Sequence, residues 1–324
     1  MKPVRYRALC GTGGIGAGSF FAISGNATLG REESRAGRFL DRRDYCKLHI
    51  IAHYTRALLG PEFTAIAIGR VGADDTGARL VAEMEAAGLD VRYVERAPGE
   101  QTLFSFCFVY PDGSGGNLTT EDSASSKVDA AYVARAEDDF RRNRGQGIAL
   151  AAPEVPLEAR AALLRLGTRY EFFRAASFTS QESPEALAMG LLKEVDLVAL
   201  NRSESEAVLG ASFDPDRTIE RLRRENPALR VSITAGADGS WYADTGAAPH
   251  FAPALRVPVE TTAGAGDAHL GALLAGIAAG LDPAAAHELA SLVAAYSVTS
   301  PHTIHPNVTH EALRAFAARY GSGG

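Results

Sequence analysis

Two kinds of residue stand out in this chain because their types and spacing could do chemistry. In "VPVETTAGAGDAHLGALLAGIAAG", residues 257–280, Gly264, Ala265 and Gly266 directly precede an Ala/Leu-rich helical run, and Asp267 falls in its first turn. Small residues let the backbone turn tightly, so successive N–H groups can converge on an anion at the positive end of the helix. An acidic side chain competes with a phosphate there unless it accepts a proton from a nucleophile attacking that phosphate. The chemistry implied is phosphoryl transfer to a hydroxyl, with Asp267 as base. The competing reading is an ordinary helix cap whose small residues serve packing.

Two further groups stand where apolar runs end. "LNRSE" would project Asn201 and Glu204 from the carboxyl end of a strand, where open α/β sheets bind ligands. Glu204 suits an outer role toward Mg²⁺, which keeps several of its own waters. "ITAGADG" likewise offers Thr234, Gly236 and Gly239 for close approach to a nucleotide. Each, taken alone, also reads as a plain strand-end turn.

A second glycine-rich stretch, "LCGTGGIGAGSFF" (Leu9 to Phe21), contains G-x-G-x-x-G at Gly11, Gly13 and Gly16. A dinucleotide site would need the last glycine to open a helix. Instead the chain continues as "SFFAISGNATLG", which alternates aromatic and β-branched residues around Gly25-Asn26, and that is strand and turn chemistry. An NAD-dependent oxidoreductase is therefore a distant reading, and a crossover into a small sheet the nearer one.

These groups need a scaffold of alternating strands and helices. "RYRALC" reads as a first strand, and "RRDYCKLHIIAHYTRALLG" as a helix stopped at Gly60-Pro61. "FTAIAIG" is a strand and "DDTGARLVAEMEAAG" a helix. "TLFSFCFVY", the turn "PDGSGG" and "NLTTE" form a hairpin. From there the alternation resumes with helix "VDAAYVARAEDDFRRNR" and strands "GIALAA", "EFFRAASF", "DLVALN" and "RVSITAG". The extended pieces "GSWYAD" and "APHFAP" come next, then two Ala-rich helices from Gly266 onward. This pattern predicts a mostly parallel sheet flanked by helices, with a small β-sheet built from the two excursions.

The chain has 324 residues, 46% hydrophobic and 22% charged, enough for one large domain. Its net charge of -6 argues against attraction to nucleic acid or an anionic membrane. The start "MKPVRYRALC" lacks a signal-peptide core, and no uncharged apolar run reaches a membrane span. Three scattered cysteines suit a reduced, cytoplasmic protein. His302, His305 and His310 lack the cysteine or carboxylate partners of a zinc site.

Together the motifs resemble the ribokinase family, the PfkB carbohydrate kinases. "TTAGAGDAHLGALL" is similar to its D-T-x-G-A-G-D signature, "NRSE" to N-x-x-E, "TAGADG" to T-x-G-x-x-G, and "IGRVGADDTG" to G-x-V-G-x-D-x-x-G. The order holds from about Arg5 to Ala317. The resemblance implies a ribokinase-like, doubly wound single domain over residues 1–324, with lid excursions at about 16–40 and 98–121. It implies transfer of the γ-phosphoryl of ATP, with Mg²⁺, to a hydroxyl of a sugar or sugar-like molecule. Asp267 would match the family's base, and Gly264, Ala265 and Gly266 its anion hole. Asn201 and Glu204 would lie near the phosphates and Mg²⁺. Thr234, Gly236 and Gly239 would lie along ATP, and Ser297 in "AAYSVTS" near the adenine. Many members form a homodimer through the lid.

The departures fall on the acceptor side. Thr261, after Glu260, replaces the signature's first Asp, which puts a monovalent-cation requirement in doubt. The usual sugar-holding Asp after the first strand is absent, leaving Gly14 and Gly16 to line that side. The family's Gly-Gly pair and Asn are replaced around "CKLHIIAH", which brings Lys47, His49 and His53 toward the substrate. With Arg42 and Arg43 they suit an anionic acceptor group, or stand merely on exposed turns. The alternative to an enzyme is a nucleotide-binding regulatory protein of the same fold without turnover.

Overall fold

A computed structural model describes residues 4–112 and 115–321. Strand β1 (Ala8–Thr12) is buried at every position and pairs in parallel on both sides, with β4 (Thr64–Gly72) and β8 (Gly147–Ala151). Such short, deeply buried strands suit a parallel sheet whose two faces are both covered by helices. β5 (Asp90–Ala97) extends the sheet beyond β4. On the other side lie β9 (Phe173–Ser177), β10 (Leu197–Asn201) and β11 (Arg230–Thr234), all parallel. The antiparallel edge consists of β12 (Ser240–Ala243) and β13 (His250–Ala252). The nine strands run in the order β13-β12-β11-β10-β9-β8-β1-β4-β5.

One face is covered by α1 (Lys47–Leu59), α2 (Asp75–Ala86), α9 (Ala265–Ala278), α10 (Pro283–Ser297) and α11 (His310–Tyr320). The opposite face carries α3 (Ala130–Ala134), α4 (Glu137–Arg142), α5 (Leu157–Arg169), α6 (Ser183–Ala188) and α8 (Pro215–Glu225). Helix α7 (Arg202–Leu209) leaves the carboxyl end of β10. Among the described residues no helix is long and apolar enough to cross a membrane.

The second sheet has the order β3-β2-β6-β7, built from β2 (Gly16–Ile23), β3 (Gly37–Tyr45), β6 (Leu103–Val109) and β7 (Gly115–Thr119). β2 pairs antiparallel with β3 and parallel with β6, which joins the two excursions. Gly16 opens a strand and not a helix, so the G-x-G-x-x-G pattern lacks the element a dinucleotide site requires. One face of this sheet is polar: Cys107 bonds Asp44 and Asn117, and Ser105 bonds Thr119. On the other, Phe21, Phe39 and Phe106 pack edge on or tilted.

Three local readings need correction. Residues 42–45 finish β3, and the helix starts only at Lys47, because Asp44 and Tyr45 pair with Gly18 and Ala17 of β2. The turn after β2 is not a two-residue Gly25-Asn26 turn but the whole connection 24–36, tied to the neighbouring hairpin by Leu29 N–H to Tyr110 Oη (2.9 Å). The tip of that hairpin, Gly113 and Ser114, lies outside the described residues. The helix expected from Val128 breaks into α3 and α4 where Ala136 N–H turns tightly onto Val133 O (3.1 Å).

Helix α9 lies directly on α1. A Cβ at Gly271 would stand 2.7 Å from Ile51 O and 2.9 Å from Tyr54 Cβ, so only glycine permits this approach. The Thr55 hydroxyl closes the contact by donating to Gly271 O (3.0 Å). Gly271→Leu should therefore push the helices apart and cost about 2–3 kcal/mol of unfolding free energy in chemical denaturation. A substitution without effect would contradict this packing.

Candidate active site

The start of α9 and the start of α1 meet at the carboxyl edge of the sheet. Gly264 caps α9 with φ +77°, a left-handed conformation glycine adopts without strain, and its α-carbon is seated against the Thr303 backbone. Asp267 lies in the first turn beyond it, its side chain 15% exposed. Lys47, the first residue of α1, brings its ammonium to 3.6 Å from Asp267 Oδ1. Lys47 also donates its backbone N–H to Glu154 Oε2 at 3.4 Å.

Glu154 lies just beyond β8 with φ +74°, an unusual conformation for a side-chain-bearing residue. Its carboxyl fits because position 14 is glycine: a Cβ there would stand 2.5 Å from both Glu154 Cβ and Oε2. Glu204, nearly buried, shares a capping box with Asn201. Asn201 Oδ1 accepts from Glu204 N–H (2.9 Å), and Glu204 Oε2 accepts from Asn201 N–H (2.8 Å).

The electrostatics arise from this crowding. Burial pushes Glu154 and Glu204 up to about 7, and the Lys47 charge opposes that rise in both. Burial also raises Asp267, again against Lys47. In return the Asp267 carboxylate, ahead of Glu204 and Glu154, holds the Lys47 ammonium more firmly protonated. Glu204 is thus a buried acid only partly compensated by Lys47 and the Asn201 N–H, a condition a divalent cation would relieve.

The residues expected along a nucleotide gather at the ends of β10 and β11, open at Gly236 and packed against Ala252 O at Gly239. Asn201 and Thr234 are neighbours in register across β10 and β11, and Thr234 Oγ1 lies 3.6 Å from where a Gly266 Cβ would stand. Gly236 has φ +57° with nothing near its missing Cβ, and Gly239 has φ +93° and accepts from Ala235 N–H (2.9 Å). Ala265 begins α9, so its N–H is near the helix's positive end. The Ser297 hydroxyl is buried and spent on Ala294 O (2.8 Å) within α10, so only its backbone can border a base. Glu260 and Thr261 are tied through their N–H groups to Val298 O.

Not all the acceptor-side residues converge. Lys47 and Gly14 join the carboxylate cluster, while Gly16 packs against Leu103 O and Cys46 Sγ at the base of the small sheet. His49 points elsewhere: it is 2% exposed, is held neutral by burial with its pKa pushed down to about 3, and lines a separate cavity of about 520 Å³. His53, Arg43 and His302 line that cavity too, and Arg42 stacks on Phe20. His49 therefore does not meet Asp267, because it sits on the α1 face turned from Lys47. No group of three His, Cys, Asp or Glu among the described residues could hold a metal ion, His302, His305 and His310 included.

Sequence reasoning passed over Glu154 and Asp44. Glu154 carried a signal, since it follows a buried strand at the same edge of the sheet where Asn201 and Thr234 end theirs. Asp44 carried little, because "DRRDY" reads equally well as a helix start.

The family model for pfkB family carbohydrate kinases matches residues 55–310. The chain is 28% identical over 232 residues to an ATP-dependent ribose-1-phosphate kinase of Halopiger xanaduensis, covering 69% of this chain and 71% of that one. It is 27% identical over 247 residues to a 2-dehydro-3-deoxygluconokinase of Thermoproteus tenax, with 71% and 73% covered. The fold is that of a nucleoside kinase from Burkholderia thailandensis solved with inosine, at TM-score 0.76, 19% identity and 97% and 98% coverage.

The raised carboxyls make a stability prediction. From their ordinary value of 4.5 up to about 7, the folded chain holds protons that the unfolded chain has released, so stability falls as pH rises through this window. Buried neutral histidines such as His49 and His269 act oppositely below 6.5, so the effect is read as a difference between variants. Between about pH 5 and 7.5, the wild-type protein should lose on the order of 2 kcal/mol relative to Glu154→Gln in urea unfolding. Parallel profiles would contradict the assignment.

Proposed function

The chain belongs to the pfkB family of carbohydrate kinases, and on that premise we propose an in-line transfer of the ATP γ-phosphoryl group to a sugar hydroxyl with Asp267 as proton acceptor. At the coarser level the chain is a kinase whose relatives phosphorylate sugar-like molecules. The observation that carries the finer reading is the seat of Asp267. It stands in the first turn of α9, directly after the glycine-rich Gly264–Gly266 stretch, and Lys47 faces its carboxylate at 3.6 Å.

Phosphoryl transfer asks the protein for position and charge more than for covalent chemistry. The N–H groups of Gly264, Ala265 and Gly266 would hold the transferring phosphoryl at the positive end of α9. Burial raises Asp267 and the Lys47 ammonium opposes that rise, favouring the ionised carboxylate that can take the proton of the attacking hydroxyl. Thr234, Gly236 and Gly239 would run along ATP, the Ser297 backbone would border the adenine, and Asn201 would lie by the phosphates. Mg²⁺, when bound, supplies neutralisation of the phosphate charge, and Glu204 would hold it through water. Thr261 offers a neutral hydroxyl where the family carries an Asp, so we infer turnover without a required monovalent cation, which an assay with and without K⁺ decides.

The small sheet would close over the acceptor and exclude water. Its exposed Phe39, Phe104 and Leu118 support pairing of two lids in a homodimer, which light scattering in solution decides. A cytoplasmic site of action accords with the three unpaired cysteines. A second reading, a nucleotide-binding protein without turnover, draws on one observation: Asp267 already has an ammonium partner.

Acceptor-dependent ADP release, screened over sugars, nucleosides, sugar acids and sugar phosphates, separates the two. With the acceptor found, Asp267→Asn should lower kcat about a thousandfold and leave ATP binding intact. Turnover untouched by the substitution would sink the mechanism, and ATP binding without turnover on any acceptor would favour the second reading.

A further inference from the structure

The kinase reading leaves the acceptor without the carboxylate that would hold its hydroxyls after β1. The structure brings another one close. In the β2–β3 pairing Asp44 stands opposite Gly18, and its carboxylate lies across the glycine, its Oδ2 occupying the space a Cβ there would need. The pairing is irregular just beyond this point, between Gly18 and Phe20, where three residues of β3 (Asp41, Arg42 and Arg43) oppose the single Ser19. The bulge turns Asp44 to the polar face of the small sheet, beside Cys107.

That face looks toward the reacting groups. Asp44 feels the Asp267 charge and bonds Thr303, the residue that backs Gly264. Among the described residues no salt bridge reaches it, and one of its side-chain contacts is the weakly donating thiol of Cys107 at 3.6 Å. Burial pushes its carboxyl up to about 6, and the contacts from Cys107, the Tyr45 backbone and Thr303 oppose that rise. When ionised, a carboxylate so placed accepts only, and its two oxygens have lone pairs beyond these contacts for further donors. Hydroxyl groups supply such donors in pairs.

We propose that Asp44 is a specificity-determining residue: its carboxylate, seated on Gly18, accepts hydrogen bonds from hydroxyl groups of the acceptor. Lys47, three positions on in sequence, is engaged by Asp267, so the two residues divide the work of holding the acceptor and keeping the base charged. Gly18 is part of the site in the sense that only a residue without a side chain leaves the carboxylate its seat.

The proposal rests on the kinase reading, so binding and turnover are measured separately. In Asp44→Asn, KM for the acceptor should rise about tenfold or more, with kcat and the KM for ATP changed less than about threefold. Gly18→Ala, which evicts the carboxylate while keeping it charged, should give the same pattern. A deoxy analogue lacking the bound hydroxyl should lose nothing further in Asp44→Asn. An unchanged acceptor KM, or equal damage to ATP and acceptor, would overturn the proposal. Calorimetry with a non-hydrolysable ATP analogue keeps the two readings apart. Acceptor binding that disappears in Asp44→Asn, on a wild-type protein without turnover, would refute the kinase reading and uphold this one.

Discussion

The Lys47 ammonium sits among Asp267, Glu154 and Glu204, and its charge opposes the effect of burial on all three. A buried carboxylate without compensation takes up a proton, and a protonated Asp267 can accept nothing from a hydroxyl. The rest of the architecture can be understood as the means of bringing this one cation to that place. α1 starts at Lys47 because β3 ends at Tyr45, and α1 meets α9 closely because Gly271 has no side chain to keep them apart. The parallel sheet beneath delivers Asn201, Thr234 and the segment carrying Glu154 to its carboxyl edge.

Glycine in the opening stretch serves the same end by a different route. Gly14 yields its space to Glu154, Gly18 to Asp44, and Gly16 lets β2 and β6 lie close. Each glycine admits an atom from an element far away in sequence. The stretch is glycine-rich because it is crowded from outside, whereas a phosphate-binding loop is glycine-rich because its own backbone must turn. Gly264, with φ +77° against Thr303, combines both requirements.

This difference explains what could be read without coordinates. The "AGAGD" stretch, the "NRSE" cap and "TAGADG" each form their local structure from a few neighbouring residues, so the helix start, the capping box and the strand-end turn were legible from local pattern. The alternation of apolar strands with helices was legible for the same reason. The meeting of Lys47 with Asp267 was not, since it depends on two helices crossing. Asp44 was hidden twice: a helix was expected where β3 runs, and only the register with Gly18 and the bulge beyond it show which way the side chain turns. His49 was misplaced toward the acceptor because two residues along a helix change the face, and its own face belongs to the histidine-lined cavity.

The central claim is that Lys47 keeps Asp267 charged for its work, and the pH dependence of kcat/KM in wild type and Lys47→Met tests it most directly. Loss of the ammonium should move the acid limb of the profile upward by about one unit or more, while Lys47→Arg should restore much of the original position. A Lys47→Met enzyme that is slower by the same factor at every pH would contradict the account, because the lysine would then be shaping the site without charging its base.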